Sequence, residues 1–172
     1  PMGLTQRDTP MRPVFRSIFL CTLALNLAAP LMAHGFTAGS LKIDHPWTRE
    51  TTKGQVVGGG FLTIVNEGKV DDLLVSATTP GAAEVQLHTV TMNNGVMQMR
   101  RVKGGIAIPA RQVVKLEPGA MHIMFMGLKA PLARGKMLPV ALRFRRAGIV
   151  KVQFAIQPVD SSGLNEAGHA GR

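Results

Sequence analysis

Two short segments concentrate the soft-ligand chemistry of this chain. Methionine occurs ten times and cysteine once. Met92, Met97 and Met99 gather around one turn, and Met121, Met124 and Met126 crowd one short run. A histidine accompanies each group, His88 with the first and His122 within the second. Thioether sulfur is soft and prefers Cu(I); it is a poor ligand for Mg²⁺, Ca²⁺ or Zn²⁺. Two imidazoles and two thioethers complete a tetrahedral-like Cu(I) set. Such a set binds less tightly than a thiolate site, which suits a carrier that must release its cargo.

Spacing decides whether these side chains can meet. Asn94-Gly95 is a strong two-residue hairpin signal, because both central residues need positive φ. With that turn Asn93 pairs with Val96, Met92 faces Met97, Val90 faces Met99 and His88 faces Arg101. His88 and Met99 become diagonal neighbours on one face, about 7–8 Å apart at the backbone. A four-residue loop over 92–95 would place His88 directly opposite Met99. A three-residue loop without a bulge would separate them. In the second run, strand alternation puts His122, Met124 and Met126 on one face and Ile123 and Phe125 on the other. The apolar pair suits a core, and Met121 should point the same way. Met beside His is ordinarily packing. The plain alternative is therefore an exported β-sandwich binding or assembly module whose methionines only fill space. The joint pattern, His88, Met99, His122 and Met124 in a chain with one cysteine, favours ligands.

The elements that must position these residues read as β throughout. Runs with period two or β-branched character fall near 40–45, 56–66, 72–77, 83–92, 96–102, 105–108, 112–116, 121–126, 138–146 and 149–157. Gly, Pro and Asn punctuate them, and no segment has a helical period with caps. Many short strands at this spacing indicate an antiparallel sandwich or barrel with Greek-key connections. Gly58-Gly59-Gly60 within a strand suggests a bulge.

Composition narrows the class. At 172 residues, with 45% hydrophobic and 17% charged, the chain has the apolar mass for one cored domain. Residues 1–33 read as upstream sequence followed by a secretory signal. Arg12 and Arg16 precede an apolar run over 18–33 that ends in Ala33. An uncleaved anchor is the alternative, although the run is short for a span of about 20 apolar residues. Ile18-Phe19-Leu20 before Cys21 is not a lipoprotein cleavage box, where small residues should stand. Cleavage after Ala33 removes the sole cysteine, so the exported part, 34–158 plus a flexible polar tail at 159–172, has neither disulfide nor thiolate. A blue-copper electron carrier, which needs a Cys ligand, is thereby disfavoured. A net charge of +10 comes with no Tyr and one Trp. That argues against nucleic acid and suits an acidic partner or an anionic membrane surface. No nucleophile triad, paired-carboxylate motif or phosphate loop stands out, so an enzyme is not expected.

The same residues carry a family resemblance. His88, Met99, His122 and Met124 fit the pattern of a His, about ten residues, a Met, about twenty residues, then His-x-Met. Around them stand Pro46-Trp47-Thr48-Arg49, Ala83-Glu84-Val85-Gln86-Leu87-His88, Met97-Gln98-Met99-Arg100, and Pro118-Gly119-Ala120-Met121-His122-Ile123-Met124-Phe125-Met126-Gly127-Leu128. Over about residues 40–157 the chain resembles the PCuAC family of periplasmic copper chaperones. The resemblance implies an all-β, cupredoxin-like Greek-key antiparallel β-sandwich. It implies Cu(I) binding through those four residues; a monomer is expected. The implied recipient is the CuA-bearing subunit of cytochrome c oxidase or another assembly factor. Thr89 follows the first His, where some members carry an extra Met. Only His169 marks the tail, where some relatives have a His/Met-rich extension implicated in Cu(II) binding. Met97 and Met126 are expected to shield the site or substitute as ligands. His45 is expected to be structural and Trp47 to pack. Cleavage after Ala33 would expose the His34 amine and imidazole as a Cu(II) chelate, though a terminal histidine is ordinarily without function.

Overall fold

The computed structural model describes residues 35–162. The signal segment, Cys21, His34 and His169 lie outside the described residues. Eleven strands follow in order: β1 (Gly35–Ala38), β2 (Leu41–Arg49), β3 (Val57–Asn66), β4 (Asp72–Thr78), β5 (Ala82–Asn93), β6 (Val96–Arg101), β7 (Ile106–Ile108), β8 (Val113–Leu116), β9 (His122–Leu128), β10 (Met137–Phe144) and β11 (Gly148–Gln157). The expected all-β class holds, and β1 is the strand the periodicity did not reveal.

The main path runs β6-β5-β9-β3-β2-β11-β10-β4-β7, with β1 on β2 and β8 on β3. Pairing is antiparallel throughout except between β2 and β11, where Trp47–Arg49 runs parallel to Ala155–Gln157. A parallel pair needs a long crossover, and here the rest of the domain supplies it. One layer of alternating residues meets in the core: Leu41 and Ile43 of β2, Leu62 and Ile64 of β3, Ile123 and Phe125 of β9, Leu142 of β10 and Phe154 of β11. Asn66 ties the far end of β3 to β7 by donating from Nδ2 to the Ile108 carbonyl (3.1 Å) and to the Val70 carbonyl (2.9 Å). Asp72 is buried, and its carboxylate accepts from the backbone N–H groups of Leu73, Arg146 and Ala147.

Two local features differ from expectation. The triple glycine is not a bulge: Val57 to Gly60 pairs with Met126 to Ile123 without a shift. Its glycines leave room for rings. A Cβ on Gly60 would lie 2.9 Å from Phe125 and 3.0 Å from Phe154, whose rings meet edge to face at 5.8 Å. The bulge sits instead on the neighbouring strand, between Asp44 and Trp47. His45 there adopts φ 52°, and Pro46 has no N–H to lose. One extra residue reverses the phase of β2. Leu41 and Ile43 face the core, whereas Trp47 is delivered to the opposite face beside Phe61, its partner on β3.

Gly60→Ala is expected to destabilise the domain by about 1–3 kcal/mol through overpacking against the two rings. Chemical denaturation at neutral pH measures this; unchanged stability would mean that the aromatic pair can yield.

Candidate metal centre

The β5–β6 hairpin has the two-residue turn that Asn94-Gly95 demands. Asn94 sits at φ 49° and Gly95 at φ 78°, as a type I′ turn requires. The register follows: Asn93 opposite Val96, Met92 opposite Met97, Val90 opposite Met99 and His88 opposite Arg101. His88 and Met99 are therefore diagonal neighbours on one face.

What joins the two sequence clusters is the pairing of β5 with β9. His88 stands directly opposite His122, and Gln86 opposite Met124. The two imidazole centroids are 5.7 Å apart. On the other side of β9, Gly59 pairs with Met124, and Phe61 lies 6.4 Å from His122 between ring centroids. A row of side chains thus crosses one sheet face, from Arg101 through His88 and His122 to Phe61 and Trp47. Alternation along β9 is as expected. Ile123 and Phe125 are fully buried in the core, and Met121 packs against it from just outside the strand.

Met99, His122 and Met124 open onto one cavity of about 390 Å³, with Gly59, Phe61 and Arg49 among its other walls. Gly59 keeps this space clear, since a Cβ there would stand 2.9 Å from the Phe61 ring. Phe61 is held by Trp47, 4.6 Å away in a tilted stack, and the Arg49 guanidinium lies over both rings. Arg49 also donates to the Ser161 carbonyl from Nε and Nη2, and the Val159 N–H donates to Glu50. The start of the segment read as a loose tail is thereby tethered beside the cavity. Met97 and Met126 do not line it. Met97 faces Met92, and Met126 lies between Glu84 and Val57.

Hydrogen bonding sets the tautomer of each imidazole. His122 Nδ1 is 2.9 Å from the Ala120 carbonyl, which can only accept. Nδ1 therefore carries the proton and Nε2 keeps the lone pair. His88 Nε2 is 2.8 Å from Gln86 Oε1, so the proton sits on Nε2. His88 Nδ1 is left buried, with a lone pair and no hydrogen-bond partner. An orphaned buried acceptor is costly unless something else uses it. Burial first, then the neighbouring His122 and Arg101, hold the His88 imidazole below its ordinary 6.5. Arg101 is itself paired with Glu84 at 3.0 Å. Among the described residues no group of three or more His, Cys, Asp or Glu side chains could hold an ion. The potential donors that share this face are imidazole and thioether.

Three of the four sequence-derived residues, Met99, His122 and Met124, line this cavity; His88 is not among its walls but stands opposite His122 on the same sheet face. Gln86, Gly59 and Phe61 are the contributors that pattern reading passed over as site residues. Gln86 had one usable signal, its place two residues before His88 on the same strand face. Gly59 and Phe61 had none, because their role depends on which strands lie beside β3.

Comparison with known proteins identifies the family. The model described as "Putative lipoprotein LpqE-like" matches residues 41–156. The chain belongs to the LpqE-like family. Putative lipoprotein Lxx21020 of Leifsonia xyli subsp. xyli is 35% identical over 143 residues, covering 83% of this chain and 84% of that protein. Among solved structures, the apo PCuAC domain from PmoF1 matches with TM-score 0.63 and 26% identity, covering 73% of this chain and 99% of that one. The copper-bound PCuAC domain from PmoF2 matches with TM-score 0.63 and 24% identity, covering 73% and 98%. This LpqE-like chain therefore has the PCuAC fold, and the resemblance read from its motif holds in three dimensions.

The lowered His88 value makes a pH prediction. The unfolded chain takes up the proton first as pH falls below 6.5, so this contribution to stability is complete above 6.5. It is lost as pH drops from there toward the lower folded-state value. Thermal unfolding of the metal-free domain should shift downward over that acidic window, and His88→Leu should flatten the slope. A slope unchanged by the substitution would remove His88 as its source.

Proposed function

We propose that this protein is an exported copper chaperone that holds Cu(I) through His88, Met99, His122 and Met124. The observation that carries the reading is that these four donors share one sheet face: two histidines opposed across β5 and β9, and two thioethers that line a cavity together with His122. The tautomers fit, because each imidazole presents a lone pair, His88 at Nδ1 and His122 at Nε2. Metal ligands require neutral imidazole, and the depressed His88 value keeps that form available below neutrality. The donor set is soft and uncharged, as a monovalent soft ion prefers. Packing alone does not account for Met99, which is 52% exposed. The copper-bound PCuAC neighbour and the apo one support a copper role.

The protein's own residues divide the work. The buried His122 and Trp47–Phe61 stack, with the half-buried Met124, form one wall. Met99 sits on the exposed hairpin strand, where it can leave first. Transfer then proceeds by ligand exchange, with an incoming donor replacing Met99 before the histidines release. This needs no acid, base or redox step, so the activity is carriage and not catalysis. The recipient we propose is the CuA-bearing subunit of cytochrome c oxidase or an assembly factor that feeds it. The surplus of Lys and Arg over acidic residues favours docking on an acidic surface. The lipoprotein names of the family and of its relative support export, and we place the mature domain in the periplasm after removal of the signal segment.

Anaerobic Cu(I) titration with X-ray absorption tests this reading. One Cu(I) per domain with mixed S/N scattering is expected, and N/O scattering alone would end it. Met99→Leu and Met124→Leu conserve volume and should each cost under about 1.5 kcal/mol of stability while copper affinity falls sharply. Parallel loss of fold and binding would instead mean that the methionines are packing. Gln86→Leu releases the His88 tautomer and is expected to weaken copper by about 10–100-fold, with isotope-edited NMR showing a mixture of the two neutral tautomers. Unaltered affinity would show that His88 needs no such support.

A further inference from the structure

The β5–β6 ribbon outruns its neighbour. β9 pairs with β5 only from Ala82 to His88, whereas β5 and β6 continue to pair as far as Asn93 and Val96. The distal ribbon therefore projects beyond the sheet with two sharply different faces. Thr89, Thr91, Asn93, Gln98 and Arg100, with Val96 at the tip, alternate onto one, and Val90, Met92, Met97 and Met99 onto the other. A two-stranded ribbon ordinarily turns its apolar face onto a core. Here that face is open, with Met92 68%, Met97 57% and Met99 52% exposed.

The pairing geometry makes this more than an apolar patch. Asn93 and Val96 flank a two-residue turn and exchange hydrogen bonds. Met92 and Met97 are then a non-hydrogen-bonded pair, the class whose Cα atoms approach to about 4.5 Å and whose side chains lie closest. Each thioether has three rotatable bonds behind it, so both sulfurs can reach one ion. Met99 lies two residues further along the same face, diagonal to Met92 and within reach of a long side chain. It also lines the inner cavity with His122 and Met124.

We infer that Met92, Met97 and Met99 form an outer, all-thioether site for a soft monovalent ion at the ribbon tip, through which copper enters and leaves the inner site. This rests on the copper reading above. Met99 is common to both sites, so an ion passes inward when His88, His122 and Met124 replace Met92 and Met97 around it. Cu(I) remains Cu(I) throughout, and no proton or electron moves. Without the histidines the outer site holds its ion more weakly than the inner one, as a loading platform must.

Ag(I) is a redox-stable soft probe, and methyl-labelled methionine reports each thioether by NMR. In the full chain, the first Ag(I) equivalent should shift the Met99 and Met124 methyls. The second should shift Met92 and Met97 and move Met99 again. Met92→Leu/Met97→Leu changes only exposed side chains, so its melting temperature should hold. The double variant should keep the first event and lose the second, and should surrender Cu(I) to bathocuproine disulfonate more slowly than the parent. If Met99 and Met124 respond but Met92 and Met97 stay still, or if the release rates match, the outer site is overturned while the inner one stands. If the first equivalent leaves Met99 and Met124 unmoved, the inner-site reading fails and the transit role falls with it.

Discussion

The register of β9 between β5 and β3 is the constraint on which the rest of the site depends. Strand side chains alternate, so a slip of one residue would drive His122 and Met124 into the core and expel Ile123 and Phe125. Burial of those two residues, both with no accessible surface, resists that slip. Hydrophobic packing on one face thereby locks the position of the polar, soft donors on the other. His88 gains its partner in the same way, because the strand that carries Leu87 into the core must turn His88 toward His122.

Around this lock the chain uses small backbone irregularities in place of large rearrangements. The bulge at His45-Pro46 reverses the phase of β2 and brings Trp47 to the site face. The glycines of β3 admit Phe61 on one side and the Phe125–Phe154 pair on the other. Each feature removes a side chain or adds a residue where an unbroken alternating strand would block the space. The result is a site packed by stacked rings on the β3 and β9 side and exposed along the β5–β6 ribbon. That asymmetry suits a protein that must hold an ion selectively and then yield it.

Electrostatics acts in the same direction. His88 sits between His122 and the Arg101–Glu84 ion pair, in surroundings that disfavour its protonation. Gln86 and the Ala120 carbonyl occupy one ring nitrogen of each histidine. The remaining lone pairs belong to a face with thioethers and no carboxylate ligand cluster, which discriminates by softness and not by charge.

Much of this was legible from residues alone, because it is governed by local rules. Asn94-Gly95 dictates a two-residue turn through its need for positive φ, and the turn sets the whole β5–β6 register, including the diagonal of His88 and Met99. Period-two alternation likewise separates His122 and Met124 from Ile123 and Phe125. The adjacency of β5 and β9 was not legible, since nothing within either strand names its neighbour; that choice is made by closure of the common core. The same closure decided which strand took the bulge and that the glycine strand stayed straight. A run of three glycines is compatible both with a kinked strand and with a straight one crowded by rings, and only the arrival of Phe125 and Phe154 over β3 selects the second. The direct opposition of two histidines more than thirty residues apart is thus a property of tertiary packing, while the donors it brings together, and the faces they occupy, were written in the order of the residues.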